Sequence, residues 1–546
     1  MSLFKCTAGD YLPERLPGSP RRERVTVSAF GGEASLNGGG RVEDMVNMSP
    51  RRAPALATRL LRGMLMPLVG KGEAHGMAAF DGKLHFVRGT VLYCLTADAV
   101  VSVGAVSDTD KRFFVFGDRL YLFPDKLYLK AGEAELRPME IDSGVLNVCT
   151  FREHDITLPE GMSWTGLGFA VGDCLRVVNA DTNIPAPEGD FLIEELHGRV
   201  ATVSENFSVT YESRARLLRV IPDLERVCVS GNRVYGIAGR DIYVSAAGNA
   251  MNFFSRGAED GSDGAVIRLD SDGDLTACAA WQGYVVFFKA DRICKLLGTR
   301  SDSFSIQDRP AVGLSASMAD TLCEVSGALY YLTESGAYRY RGQEPERISE
   351  PGEIGFSGGC GGTDGYAYYV AVCRSDGARR QYCYLPATGE WYGEDGLHPV
   401  CMIRYREFLC IQDADGYLWL TSSDGRRTGC LYDERRTGKI PASSVVLPPD
   451  YGLQPAGSRL TYVFIRASAE EDGRLEVMAD YAIGAVGKDA DGSDAVSLGV
   501  FYGGMKDRLL RIPVHAPVSD GVRLRLIMEG DWVIHSVTRE YERIGK

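Results

Sequence analysis

Gly327-Ala328-Leu329-Tyr330-Tyr331-Leu332, followed across a polar turn by the apolar Tyr338, is the phrase that decides the fold. A glycine-bearing turn leads into alternating apolar residues, and a second polar turn leads into another apolar run. The phrase also stands at Asp81-Gly82-Lys83-Leu84-His85-Phe86 (to Val91-Leu92-Tyr93), at Gly117-Asp118-Arg119-Leu120-Tyr121-Leu122 (to Leu127-Tyr128-Leu129) and at Gly231-Asn232-Arg233-Val234-Tyr235 (to Ile242-Tyr243-Val244). It returns at Gly283-Tyr284-Val285-Val286-Phe287 (to Ile293), Gly365-Tyr366-Ala367-Tyr368-Tyr369-Val370 (to Tyr382-Cys383-Tyr384) and Tyr405-Arg406-Glu407-Phe408-Leu409-Cys410 (to Leu418-Trp419-Leu420). Period-two hydrophobicity means strands with a buried face. Recurrence at roughly 36–51 residues, apart from one longer gap, is the size of a propeller blade. The expectation is an all-β chain built on a β-propeller of about seven blades.

The rest of the chain is organised around that repeat. Residues 1–70 lack sustained periodicity and carry Gly31-Gly32, Gly38-Gly39-Gly40 and a basic segment; they read as an extended N-terminal arm that wraps a neighbour or another domain, with one short strand at Val25-Thr26-Val27. Simple disorder is the other reading of that arm. The propeller occupies 71–140 and 222–436. Between them, 141–221 carries closely spaced short strands around Trp164–Val178, expected as a small β-barrel inserted in a loop between blades, where added length costs little. Ser443–Tyr451 reads as a linker, and residues 450–546 alternate well enough for a C-terminal β-sandwich. Helical patterning is nearly absent, with Pro54–Met64 the best short candidate.

Composition narrows the function classes. The net charge of −13 works against stable nucleic-acid binding, which needs clustered Lys and Arg to displace counterions. Such a balance suits a surface past which DNA slides, and it suits an ordinary solvated surface equally. No apolar run reaches the roughly 20 residues of a membrane-spanning helix. Met1-Ser2-Leu3-Phe4-Lys5-Cys6 does not read as a secretory signal, so assembly in a cytoplasm is expected. The 14 cysteines stand singly without a Cys-x-x-Cys pair, and many sit within apolar strand patterns, which favours reduced core thiols.

Several segments resemble the tail hub or nozzle proteins of tailed bacteriophages, also called phage stabilisation proteins. They are Phe30-Gly31-Gly32, Asn37 and Glu43-Asp44-Met45-Val46-Asn47-Met48-Ser49-Pro50 near the start, and Val286–Gly298, Phe304-Ser305-Ile306, Gly313-Leu314-Ser315 and Leu329–Tyr340 in the middle. Gly530-Asp531-Trp532 and Tyr541-Glu542 are similar to the end of the sandwich domain in such proteins. One departure is Arg52-Ala53-Pro54-Ala55, where the family's arm often has Arg-Pro-Gly. The resemblance implies a structural virion protein: a homo-oligomeric ring, commonly a hexamer, below the portal and its adaptor. Such a ring extends the DNA-ejection channel and docks tail fibres or spikes, touching DNA only transiently. The implied location is the virion tail, without membrane insertion.

The chemical motifs are weak by comparison. Gly355-Phe356-Ser357-Gly358-Gly359 matches a hydrolase nucleophile elbow in letters, but a strand follows where a helix is required. Trp391-Tyr392-Gly393-Glu394-Asp395 and Asp413–Trp419 admit a glycosidase reading, in which two carboxylates flank a sugar bond. Asp270-Ser271-Asp272-Gly273-Asp274 and Asp489–Asp494 place alternating oxygens as a calcium loop does, without a distal Glu or flanking helices. The seven histidines lack ligand spacing for zinc. Gly166–Gly172 lies in a strand-rich insert and not at a strand-to-helix turn, so it is no dinucleotide fingerprint. The sequence therefore assigns no catalytic, cofactor or metal residues and no enzymatic role; a glycan-binding or glycan-hydrolysing propeller is the alternative.

Overall fold

In the computed structural model, residues 22–27, 42–49, 52, 54–66, 69–96, 99–180, 187–255, 261–348, 356–374, 379–421, 430, 432–434, 442–448, 458–480, 495–515 and 522–543 are described. The chain is all-β, made of many small antiparallel sheets. Each of the seven quoted phrases is the central hairpin of one of them. The turn chemistry explains why. Asp81-Gly82 (φ 50° and 70°) and Ser326-Gly327 (φ 51° and 77°) take positive φ at both central positions. That primed turn matches the right-handed twist of the strands it joins.

The innermost strands of these sheets are Ala74–Phe80, Arg112–Phe116, Arg226–Ser230, Ala277–Trp281, Cys323–Val325, Phe356–Thr363 and Pro399–Tyr405. The first to fourth touch in chain order, as do the fifth to seventh; the 3-10 turn Ala316–Thr321 contacts both the fourth and the sixth, and the last strand lies against the first. The cores follow the same cycle. Phe80, Val87 and Leu92 of the first sheet pack on Leu120, Leu122 and Leu129 of the second. At the far end, Tyr405, Cys410 and Leu418 of the seventh pack on Met77, Leu84 and Phe86 of the first. Faces covered on both sides explain why the middle strands lose alternation; all of Ala328–Thr333 is buried.

The described part of the N-terminal segment is paired into sheets formed by later sequence. Arg22–Val27 pairs with Trp532–Arg543, and Asp44–Val46 lies between Glu390–Glu394 of the sixth sheet and Ser443–Leu447. The expected short helix over Pro54–Met64 is instead two strands, Leu56–Thr58 and Gly63–Met64. Gly63–Met64 pairs with Leu418–Leu420, so an early segment supplies the fourth strand of the seventh sheet. Unpaired sheet edges recruit these short strands, whose local pattern is too brief to announce itself. Residues 1–21 and 28–41 of the expected arm lie outside the described residues.

Ser443–Leu447, expected as part of a linker, is a strand of a nine-stranded sheet. That sheet runs from the sixth small sheet through Asp44–Val46 and Ser443–Leu447 to Arg523–Glu529, Arg474–Asp480 and Val496–Tyr502. Opposite it lies a second sheet of Met48–Ser49, Leu56–Thr58, Trp532–Arg543, Ser458–Ala469 and Met505–Pro513. Val445, Val477 and Leu526 from one and Val463, Ile465 and Val537 from the other meet in a common core.

The unit expected as a small barrel is not a closed one. Ile141–Thr157, Val200–Arg219, Cys174–Asn179 and Gly189–His197 form one four-stranded sheet, and Gly189–His197 folds back to pair with Val200–Arg219 as well. Among the described residues, Ile141–Thr157 pairs only with Val200–Arg219, through four register shifts. Its core gathers Phe151, Trp164, Phe191 and Phe207. Among the described residues no helix is long and apolar enough to cross a membrane.

Candidate functional site

Two of the innermost strands begin with an arginine. Arg112 opens Arg112–Phe116, and Arg226 opens Arg226–Ser230. Asp320 arrives from the turn Ala316–Thr321. Arg112 holds Asp320 in a two-pronged grip: Nη1 donates to Oδ1 at 2.8 Å and Nη2 to Oδ2 at 3.0 Å. Arg226 Nη2 donates to Oδ2 at 3.5 Å, and its Nε donates to the Thr276 carbonyl at 3.4 Å. Arg226 Nη1 stands 3.0 Å from Oδ1, an ion-pair distance, yet makes no hydrogen bond there. Angle decides hydrogen bonding, so we count this contact as Coulombic only.

Two cavities share both arginines. One, about 250 Å³, is walled by Met77, Phe113, Cys278, Leu322 and Cys401 among others. The other, about 380 Å³, has an apolar wall of Phe123, Pro124 and Leu224 and a rim of Asp110, Asp223 and Glu225. Burial lowers the Arg226 pKa, and repulsion from Arg112 adds to the effect against the attraction of Asp320. Neighbouring charges are already engaged. Lys111 Nζ lies 2.7 Å from Asp125, and Lys126 Nζ lies 2.7 Å from Asp223. His75 bridges Asp110 at 3.1 Å and Asp108 at 2.9 Å; burial opposes its charge, but hydrogen bonds to the two carboxylates outweigh this and raise its pKa.

Two guanidiniums and one carboxylate thus tie the second and third sheets to the turn Ala316–Thr321. Five of the innermost strands also carry a cysteine: Cys228, Cys278, Cys323, Cys360 and Cys401. The described cysteines are free thiols. Burial pushes Cys401 up to about 11 and Cys323 up to about 12, which keeps both protonated and poorly nucleophilic at neutral pH.

The motif residues are spent elsewhere. Ser357 lies in the strand Phe356–Thr363 and donates to the Cys373 carbonyl at 3.3 Å, without the strand-to-helix turn of a nucleophile elbow. Glu394 is buried and accepts from Arg62 Nη2 at 2.6 Å and from Gln381 at 3.0 Å. Asp413 is buried, accepts from the His398 amide at 2.6 Å, and has its pKa raised by that burial. Carbonyl oxygens of the Asp270–Asp274 loop receive Lys289 Nζ (2.7 Å to Ser271, 3.2 Å to Asp272) and Arg240 Nη2 (2.9 Å to Asp270). Protein cations therefore hold backbone oxygens of this loop. Gly168 caps the short helix Trp164–Leu167. The Asp489–Asp494 run lies outside the described residues, and among those described no cluster of three or more metal-ligating side chains forms.

Arg112, Arg226 and Asp320 escaped the sequence reading, because partners 94 to 208 residues apart leave no spacing signal. One trace existed: Arg112-Phe113-Phe114-Val115 and Arg226-Val227-Cys228-Val229 place an arginine at the same point before two runs. No family model and no curated protein matches the chain. Solved structures share a general likeness at low similarity. U3-55K is 6% identical with a TM-score of 0.33, covering 66% of this chain and 98% of its own. The N-terminal domain of Nup159 is 8% identical with a TM-score of 0.30, covering 72% and 98%. PorZ of Porphyromonas gingivalis is 9% identical with a TM-score of 0.26, covering 80% and 75%.

Proposed function

We propose that the seven small sheets are the blades of one β-propeller, closed by Gly63–Met64, and that the protein is a structural subunit of a bacteriophage tail. In this reading it is a hub or nozzle component that assembles with copies of itself into a ring, a hexamer by the family resemblance. The observation that carries the reading is the unbroken hydrogen-bonded path from the sixth blade through Asp44–Val46 into the C-terminal sheets. It couples propeller and sandwich into one stiff body with contact faces on several sides, as a wall segment requires. The mechanism is mechanical. DNA passes through the opening enclosed by several copies and not through the axis of each copy, where Arg112, Asp320 and Arg226 sit. The net charge of −13 limits adhesion of the passing polyanion. Portal or adaptor above and fibres or spikes below dock on the remaining faces.

Electron microscopy and native mass spectrometry of the purified full chain, alone and with virion tails, test this. Discrete closed rings are expected. A protein that stays monomeric at micromolar concentration and cleaves or captures glycans would reverse the reading.

A further inference from the structure

Two guanidiniums from adjacent sheets converge on one carboxylate, Asp320. The charged groups around them are engaged with other partners. Lys111 and Asp125 satisfy each other at 2.7 Å, Asp110 is held by His75, and Asp223 is held by Lys126. Glu225 accepts from the Gly239 amide at 3.3 Å. Arg226 Nη1 lies 3.0 Å from Asp320 Oδ1 but is a buried donor that makes no hydrogen bond, a state that costs free energy comparable to a lost hydrogen bond.

We propose that this axial well binds a small oxyanion, a carboxylate or phosphate group, between Arg112 and Arg226. The planar guanidinium fork matches the oxygens of either group, and partial burial strengthens charge-assisted hydrogen bonds. Asp320 acts as the internal competitor, holding the two arginines in place while the well is vacant of ligand. The cavities of about 250 and 380 Å³ that share both arginines hold a small molecule. Phe123, Pro124 and Leu224 give its non-ionic part an apolar wall. The inference rests on the axial geometry alone, so it stands or falls independently of the tail assignment.

The test titrates the full-length protein with inorganic phosphate and, separately, with acetate, by calorimetry and by thermal unfolding, with chloride holding ionic strength constant. Saturable binding of at least one anion is expected, and the stronger of the two identifies the head group. Asp320→Asn removes the competitor and should tighten binding about tenfold, whereas Arg226→Gln removes one fork and should weaken it about tenfold. Opposite signs for two substitutions at one site separate ligand binding from general damage. Two results would overturn the proposal: no saturable response beyond chloride in either the native protein or Asp320→Asn, or unchanged binding in folded Arg226→Gln.

Discussion

Arg62 shows what a single side chain does in this fold. It is 1% exposed, bonds Glu394 through Nη2 at 2.6 Å, and stands 3.4 Å from Glu434 through Nη1. Glu434 in turn accepts from Arg59 at 2.7 and 2.9 Å. One cluster thus binds the N-terminal segment, the sixth sheet and the residue that follows Tyr432–Asp433. Removing one member strands a buried charge, so Arg62→Ala should cost about 3–5 kcal/mol, read as a lower urea midpoint. His85 supplies a pH prediction. Burial depresses its pKa from 6.5 to about 4, with Lys83 adding to the effect. The unfolded chain takes up a proton as pH falls through 6.5, and the folded protein resists until about 4. Stability contributed by the neutral ring is therefore present above pH 6.5 and lost as the pH falls through that window, up to about 3 kcal/mol. Denaturation at pH 7 and pH 4.5 should show a smaller acid loss in His85→Phe than in the native chain.

At the scale of elements, the N-terminal strands close sheets that later sequence leaves open. An extended arm over 1–70 implied that a truncation near residue 50 would spare the propeller. The structure alters that expectation, because Asp44–Val46 bridges two sheets and Gly63–Met64 completes a third. Removing residues 1–66 should abolish cooperative unfolding in a calorimeter, since it exposes three sets of strand edges and opens the buried core at Met45, Met48 and Leu56. These closures were hard to read because two- and three-residue strands carry no periodicity. The hairpins were legible because most carry a tight turn with positive φ, such as Ser326-Gly327, beside four or more apolar positions.

At the scale of the whole molecule, the insert is attached at closely spaced ends. Ile141 pairs with Arg219, while Arg219 Nε donates to the Met139 carbonyl at 2.6 Å and its Nη1 to Asp173 at 2.6 Å. Asn249 and Asn252 both donate to the Gly172 carbonyl, at 2.9 and 2.8 Å, and so dock the insert on the third sheet's loop. Replacing 142–218 with a short Gly-Ser linker should therefore leave a folded, cooperatively melting protein. The melting temperature should fall by only a few degrees, because the insert's core of Phe151, Trp164, Phe191 and Phe207 is its own. Loss of rings in that variant, seen by native mass spectrometry, would place a copy-to-copy contact on the insert. Failure to fold would show that it belongs to the central body.

By itself the sequence determined what is local: strands, primed turns and the number of reiterated hairpins, since each is written within about a dozen consecutive residues. Tertiary structure alone decided what lies far apart in the chain. It set the insertion of Asp44–Val46 between two sheets, the completion of the seventh sheet by Gly63–Met64, and the meeting of Arg112, Arg226 and Asp320 at one centre. The physical reason is that backbone edges and charges are satisfied by whichever partner the packed sheets bring near. Hydrogen bonding and Coulomb attraction depend on distance in space, and sequence separation leaves no mark on either.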